Sequence, residues 1–146
     1  MKFVALAGRI LFALIFVLST VGHFTKAESD MAAAHGVPLA SIVVPVAGLI
    51  ALAGGLSVAA GYKARIGAWL LVVFLVPVTL VMHNFWAVQD PATAQMQQIN
   101  FFKNLSLLGG AFLIAFFGSG PLSVDAWLNN RSNVSYPAHQ PQRRVA

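Results

Sequence analysis

The sequence predicts an all-α integral membrane protein, a four-helix bundle that crosses the bilayer four times with both termini on the cytoplasmic side. Three observations carry this. Of 146 residues, 58% are apolar and only 9% charged, against about 25% charged in an ordinary soluble domain. The mean hydropathy is +0.77, more apolar surface than a globule of this size can hide from water. The apolar residues fall into four runs, each of about 20 residues or more, enough for a helix to span about 30 Å of hydrocarbon.

The first run, within 3–25, contains one charge, Arg9. Lys2 and the Ile10 to Leu18 stretch imitate a signal peptide, but Arg9 interrupts the region and no small-residue cleavage pattern precedes Lys26. The second run, 37–61, is uncharged and rich in small residues. Ala47, Ala51, Gly55 and Ala59 recur every fourth position, a stripe that lets helix backbones approach closely in lipid. The third run, 66–87, carries His83 near its end, and the fourth, 98–118, carries Lys103. Pro45 and Pro77 lie inside the second and third runs, where each removes a backbone donor. None of the runs alternates as a barrel strand does, and helices satisfy every amide within lipid. Residues 1–118 thus form one transmembrane domain. Residues 119–146 form a polar segment, with Leu122, Trp127 and Leu128 at the interface and disorder expected past Asn130.

Charge placement sets the orientation. Lys2, Lys63, Arg65, Arg131, Arg143 and Arg144 mark one side, whereas the 23–36 and 86–98 loops hold Glu28, Asp30 and Asp90 against Lys26. Basic residues mark the cytoplasmic side. The net charge of +5 therefore speaks of topology and anionic headgroups, not of nucleic acid, because no basic patch accompanies the aromatics. The chain has no cysteine, which excludes disulfides, Cys-ligated clusters and thiol relays of its own. No nucleophile elbow, phosphate loop or dinucleotide fingerprint is present.

Arg9, Ala13, Phe16, Thr20 and His23 share one helix face. Arg9 lies about 9 Å into the first helix, where it either snorkels to headgroups or makes an internal polar contact. At the other end the topology brings His23, Lys26, His83, Asn84, Trp86, Lys103 and Asn104 to one depth. Two readings fit these seven residues. In one they are interfacial, with Trp86 in an aromatic belt and Lys103 snorkelling. In the other they line an outward-facing pocket for an anionic or quinone-like head group, with Lys103 supplying the charge, Trp86 stacking and His83 exchanging a proton. His23 and His83 could bracket a haem, but two lone histidines are weak evidence for one, and the scattered carboxylates make no metal site.

The order of Gly8-Arg9, Gly22-His23-Phe24-Thr25-Lys26, the small-residue stretch 47–61, His83-Asn84-Phe85-Trp86, Phe102-Lys103-Asn104-Leu105, Gly109-Gly110 and Gly118-Ser119-Gly120-Pro121-Leu122-Ser123-Val124-Asp125 resembles the DoxX family of small four-helix bacterial membrane proteins, over about residues 5–128. The chain departs from the family at Ala51, where many members carry a Glu that would partner a buried cation. The resemblance implies a bacterial inner membrane location. It also implies a membrane subunit or anchor of a quinone-linked or oxidative-stress redox system, without self-contained catalysis, associated with a redox partner protein or with further copies of itself. Two alternatives stand beside this. One is an assembly scaffold that binds only membrane lipids. The other is a small-solute pathway, which would need a continuous polar line where the chain offers only Ser19, Thr20, Ser57, Thr79 and Ser106.

Overall fold

A computed structural model describes residues 2–134. The described residues form six α-helices and no strands: α1 (Lys2–Ser19), α2 (Lys26–Ala34), α3 (Ala40–Ala60), α4 (Ala64–Met82), α5 (Pro91–Phe117) and α6 (Val124–Val134). Single 3₁₀ turns follow α1 at Gly22–Phe24 and α4 at Phe85–Ala87. Four segments are long and apolar enough to cross a membrane: Lys2–Phe24, Ala40–Ala60, Ala64–Ala87 and Pro91–Phe117. Large apolar side chains stay exposed along all four, among them Leu11, Leu49, Val73 and Leu113. That is the surface expected of helices solvated by lipid.

The elements differ from the sequence expectation in three places. The 23–36 loop holds α2, which opens where Thr25 Oγ1 accepts the Glu28 N–H at 3.3 Å. Its short, weakly apolar sequence hides it from a search for spans. The fourth span begins at Pro91, not near residue 98, because Asp90 caps it. The Asp90 carboxylate accepts the Thr93 N–H at 2.8 Å, and Pro91 takes the first turn, where no amide is needed. At 27 residues α5 is about 40 Å long, some 10 Å more than the hydrocarbon layer. In the tail, α6 continues through Asn130 to Val134, where disorder was expected; residues 135–146, with Arg143 and Arg144, lie outside the described residues.

Helix α3 packs between α1 and α4, and α5 packs on the far side of α4. Small residues allow this. A Cβ on Gly54 would stand 2.9 Å from the Gly67 carbonyl oxygen of α4, and one on Gly55 would meet Phe16 of α1 at 3.2 Å. Ala51 and Gly55 of the expected stripe are buried, together with Gly48, Gly54 and Val58. The core joins Ala13 and Phe16 of α1, Val58 of α3, Leu71 and Leu75 of α4 and Ala111 of α5. The ring closes where Phe12 of α1 meets Gly110 of α5.

The face where α1 begins and α5 ends is locked by a clasp. Arg9 is 5% exposed. It donates from Nη1 to the Ser119 carbonyl and from Nη2 to the Leu122 carbonyl at 2.8 Å, which selects the internal polar contact over snorkelling. The Asp125 carboxylate accepts the Lys63 N–H at 2.8 Å and the Ala64 N–H at 3.4 Å, capping α4, while its own N–H donates to the Gly61 carbonyl at 3.0 Å. Gly61 is required twice over. Its φ is +67°, and a Cβ there would lie 2.7 Å from Arg9 Nη1.

Candidate functional site

The opposite half of the bundle is less tightly filled. A cavity of about 1050 Å³ lies there, lined by α1 (Ile15, Phe16, Ser19), the turn after it (His23), α2 (Glu28, Met31, Ala32), α3, α4 and the inner face of α5. Its deeper wall is apolar. Pro77 lines it beside Val73, whose carbonyl has no proline N–H to accept from one turn on. Helix α2 lies across the mouth and packs on α3.

The polar lining is ordered. His23 Nδ1 lies 3.0 Å from the Ser19 carbonyl and His35 Nδ1 lies 2.9 Å from the Met31 carbonyl. A carbonyl only accepts, so in the neutral ring Nδ1 carries the proton and Nε2 keeps its lone pair. His83 Nδ1 meets Gln97 Oε1 at 2.7 Å in the same sense. On α5, Gln97, Asn100, Lys103 and Asn104 follow helical spacing down the cavity wall. Lys103 Nζ donates to Asn100 Oδ1 at 2.9 Å. Asn104 is 6% exposed, and its amide has no hydrogen-bond partner among the described residues. Glu28 is the one acidic residue of the lining.

Of the seven residues expected at this depth, the cavity brings together His23, His83, Lys103 and Asn104. Lys26, Asn84 and Trp86 are not in its wall. Lys26 turns away to Asp30, Nζ to Oδ2 2.7 Å, and this exposed pair holds the Lys26 ammonium above its usual range, chiefly through the hydrogen bond. Asn84 precedes the 3₁₀ turn. Trp86 is 60% exposed and packs edge-on against Phe85 and Phe101, outside the cavity wall. Equal depth does not guarantee equal azimuth. Glu28, His35, Gln97, Asn100 and Ser19 add to the polar lining; of these, Gln97 and His35 were hidden in segments read as loops. No cluster of three or more metal-ligating side chains occurs among the described residues.

The fold and the cavity define an all-helical, multi-pass membrane protein with a polar-headed, apolar-bodied recess on the face opposite the clasp. Residues 1–129 match the SURF4 family, and the chain belongs to it. The chain is 28% identical to inner membrane protein YqjF of Escherichia coli over 128 residues, 86% of this chain and 92% of that protein. It is 29% identical to the ER-derived vesicles protein ERV29 of Saccharomyces cerevisiae over 119 residues, and 30% identical to a Surfeit locus protein 4 homolog of Schizosaccharomyces pombe over 121 residues. These alignments take in 82% of this chain but 32% and 36% of those two longer proteins. No solved structure matches the chain. The family match overturns the DoxX resemblance, and with it the redox-subunit role and the quinone and oxidoreductase association it implied. Some of the residues that carried the resemblance have structural explanations instead: Arg9, Ser119, Leu122 and Asp125 build the clasp, and Gly110 admits Phe12.

Proposed function

We propose that this chain is a non-catalytic membrane binding protein. Its cavity takes an amphipathic ligand from the outer side of a bacterial inner membrane, with both termini cytoplasmic. One observation carries the reading: a recess of about 1050 Å³ with an apolar wall is lined by Asn104, whose amide has no hydrogen-bond partner among the described residues. A ligand in the cavity can supply the hydrogen-bond partner that the protein does not. The imidazoles are tied to carbonyl oxygens rather than to hydroxyls, an arrangement suited to hydrogen bonding rather than to activating a nucleophile.

YqjF and a second relative, YphA of Escherichia coli, are named as inner membrane proteins, which supports that membrane here. The yeast relative's name ties it to ER-derived vesicles, which supports a carrying role over electron transfer. The basic residues at Lys63, Arg65 and Arg131 support a cytoplasmic terminal face. On this reading α6 is an interfacial helix, with Arg131 stacked 4.0 Å above the Trp127 ring.

The test is extraction into polymer-bounded lipid discs followed by native mass spectrometry. Wild type is expected to retain a small molecule that an Ala47→Trp variant, with its cavity filled, has lost. Equal small-molecule content in both would refute the reading. Orientation is read separately. The chain lacks cysteine, so Gln95→Cys should react with an impermeant maleimide on intact spheroplasts and Tyr62→Cys should not.

A further inference from the structure

The cavity has a hydrogen-bonding polarity that specifies the charge of its ligand. Lys103 Nζ spends one N–H on Asn100 Oδ1. An ammonium can only donate, so this contact fixes the Asn100 amide with its oxygen toward Lys103 and its NH₂ free. Gln97 Oε1 is likewise occupied by His83 Nδ1. Two amide oxygens of this wall are therefore engaged, which turns the NH₂ groups of Gln97 and Asn100 outward beside two N–H bonds of Lys103. The Asn104 amide keeps both its NH₂ and its oxygen free, so donors outnumber free acceptors on this wall.

Depth sharpens the point. Lys103 is 14 residues from Phe117, the end of α5, so about 21 Å of helix lies beneath it, which places it inside the hydrocarbon layer. No carboxylate pairs with it among the described residues, where the ion pair is Lys26–Asp30. An ammonium at that depth with one neutral partner calls for an anion. Glu28 sits in α2 at the mouth, so the anion is disfavoured there and favoured below.

We propose that Gln97, Asn100, Lys103 and Asn104 form an oxyanion site, and that the ligand is an amphiphile with a carboxylate or phosphate head. The inference rests on the binding role proposed above. The apolar wall, with Ile15, Phe16 and Leu107, receives the chain attached to that head.

The test uses the full chain in mild detergent at pH 8, with hexadecyl phosphate, hexadecanoate, hexadecanol and inorganic phosphate as probes, each titrated by native mass spectrometry. Charge-assisted bonds to two or more donors predict that the two anionic amphiphiles bind at least about tenfold tighter than hexadecanol. Lys103→Met is expected to erase that preference while hexadecanol still binds, and Lys103→Arg to restore most of it. Retained hexadecanol binding certifies that each variant is folded. Equal binding of hexadecyl phosphate and hexadecanol to wild type would overturn the oxyanion site and leave the amphiphile-binding role standing. No saturable binding of any amphiphile would overturn both. Competition by millimolar inorganic phosphate would identify a free anion rather than a lipid as the ligand and refute the amphiphile.

Discussion

Two glycines separate close packing from intrinsic helix propensity. A Cβ built on Gly54 would lie 2.8 Å from a Leu71 methyl, 2.9 Å from Leu71 Cγ and 2.9 Å from the Gly67 backbone oxygen. Ordinary contacts of these kinds begin near 3.5 and 3.3 Å, so the deficits are about 0.7 and 0.4 Å. The Leu71 side chain is fully buried and cannot swing aside, and the oxygen belongs to the backbone. Gly54→Ala must therefore push α3 from α4, at a cost of about 1–3 kcal/mol. Gly109 sits within α5 and has nothing within 4 Å of its Cβ position. Gly109→Ala should gain about 0.5–1 kcal/mol from helix propensity alone. That gain is common to both substitutions, so the difference between the two variants isolates the clash. The assay is thermal unfolding in one detergent, followed by tryptophan fluorescence; Trp69 of α4 reports on the α4–α5 contact through its edge-on packing with Phe112 at 6.0 Å. The two melting temperatures should straddle wild type and stand about 3–10 °C apart. Equal shifts in the same direction would refute the close-packed α3–α4 seam.

Other expectations follow from the same structure. Asn104→Leu should lower binding of anionic amphiphiles while hexadecanol still binds, read by the same native mass titration; an unchanged preference for the anionic amphiphiles would take Asn104 out of the site. Asp125→Ala, which uncaps α4 at Lys63 and Ala64, should cost about 1–2 kcal/mol in the thermal melt, and Asp125→Asn less. The Asp90 carboxyl is held below the usual carboxylate range by the Thr93 hydroxyl and N–H. A depressed folded value means that its contribution is fully present above the unfolded pKa of about 3.9 and is lost as pH falls through the folded value. Carboxyl-carbon NMR should find Asp90 titrating below the ordinary carboxylate value of about 3.9, and Thr93→Ala should raise its midpoint. The Lys26–Asp30 pair is fully exposed to solvent, so Lys26→Ala should leave the melting temperature unchanged.

The four spans were legible because length and hydropathy alone determine them. That Arg9, Ala13, Phe16 and Thr20 share one face of the first helix was legible in their spacing; that this face is the buried one was not, because spacing fixes a face and not what it packs against. Helix α2 escaped because nine residues with three charges carry no apolar run, although Thr25-x-x-Glu28 was its readable start. The early start of α5 was written in Asp90-Pro91, and reading hydropathy instead of caps placed Gln97 in a loop. For the cavity, depth was recoverable from topology, and the azimuths of Lys26, Asn84 and Trp86 were not, since those residues lie in or beside turns where helical periodicity stops. Nor did the glycine and lysine-asparagine motifs discriminate between families. A glycine that admits a neighbouring ring or an arginine is demanded by packing, and unrelated bundles can meet the same demand.

The clasp has a consequence for biogenesis. Arg9 and its acceptor Ser119 are 110 residues apart, so at about 5–20 residues per second the acceptor emerges some 5–20 s after the arginine. Throughout that interval a guanidinium in the first helix must be held by lipid phosphates or by the insertion machinery. It is released into the bundle only when the exit from the last span arrives. A chain that stops short of Ser119 lacks the carbonyl acceptors that the clasp gives Arg9.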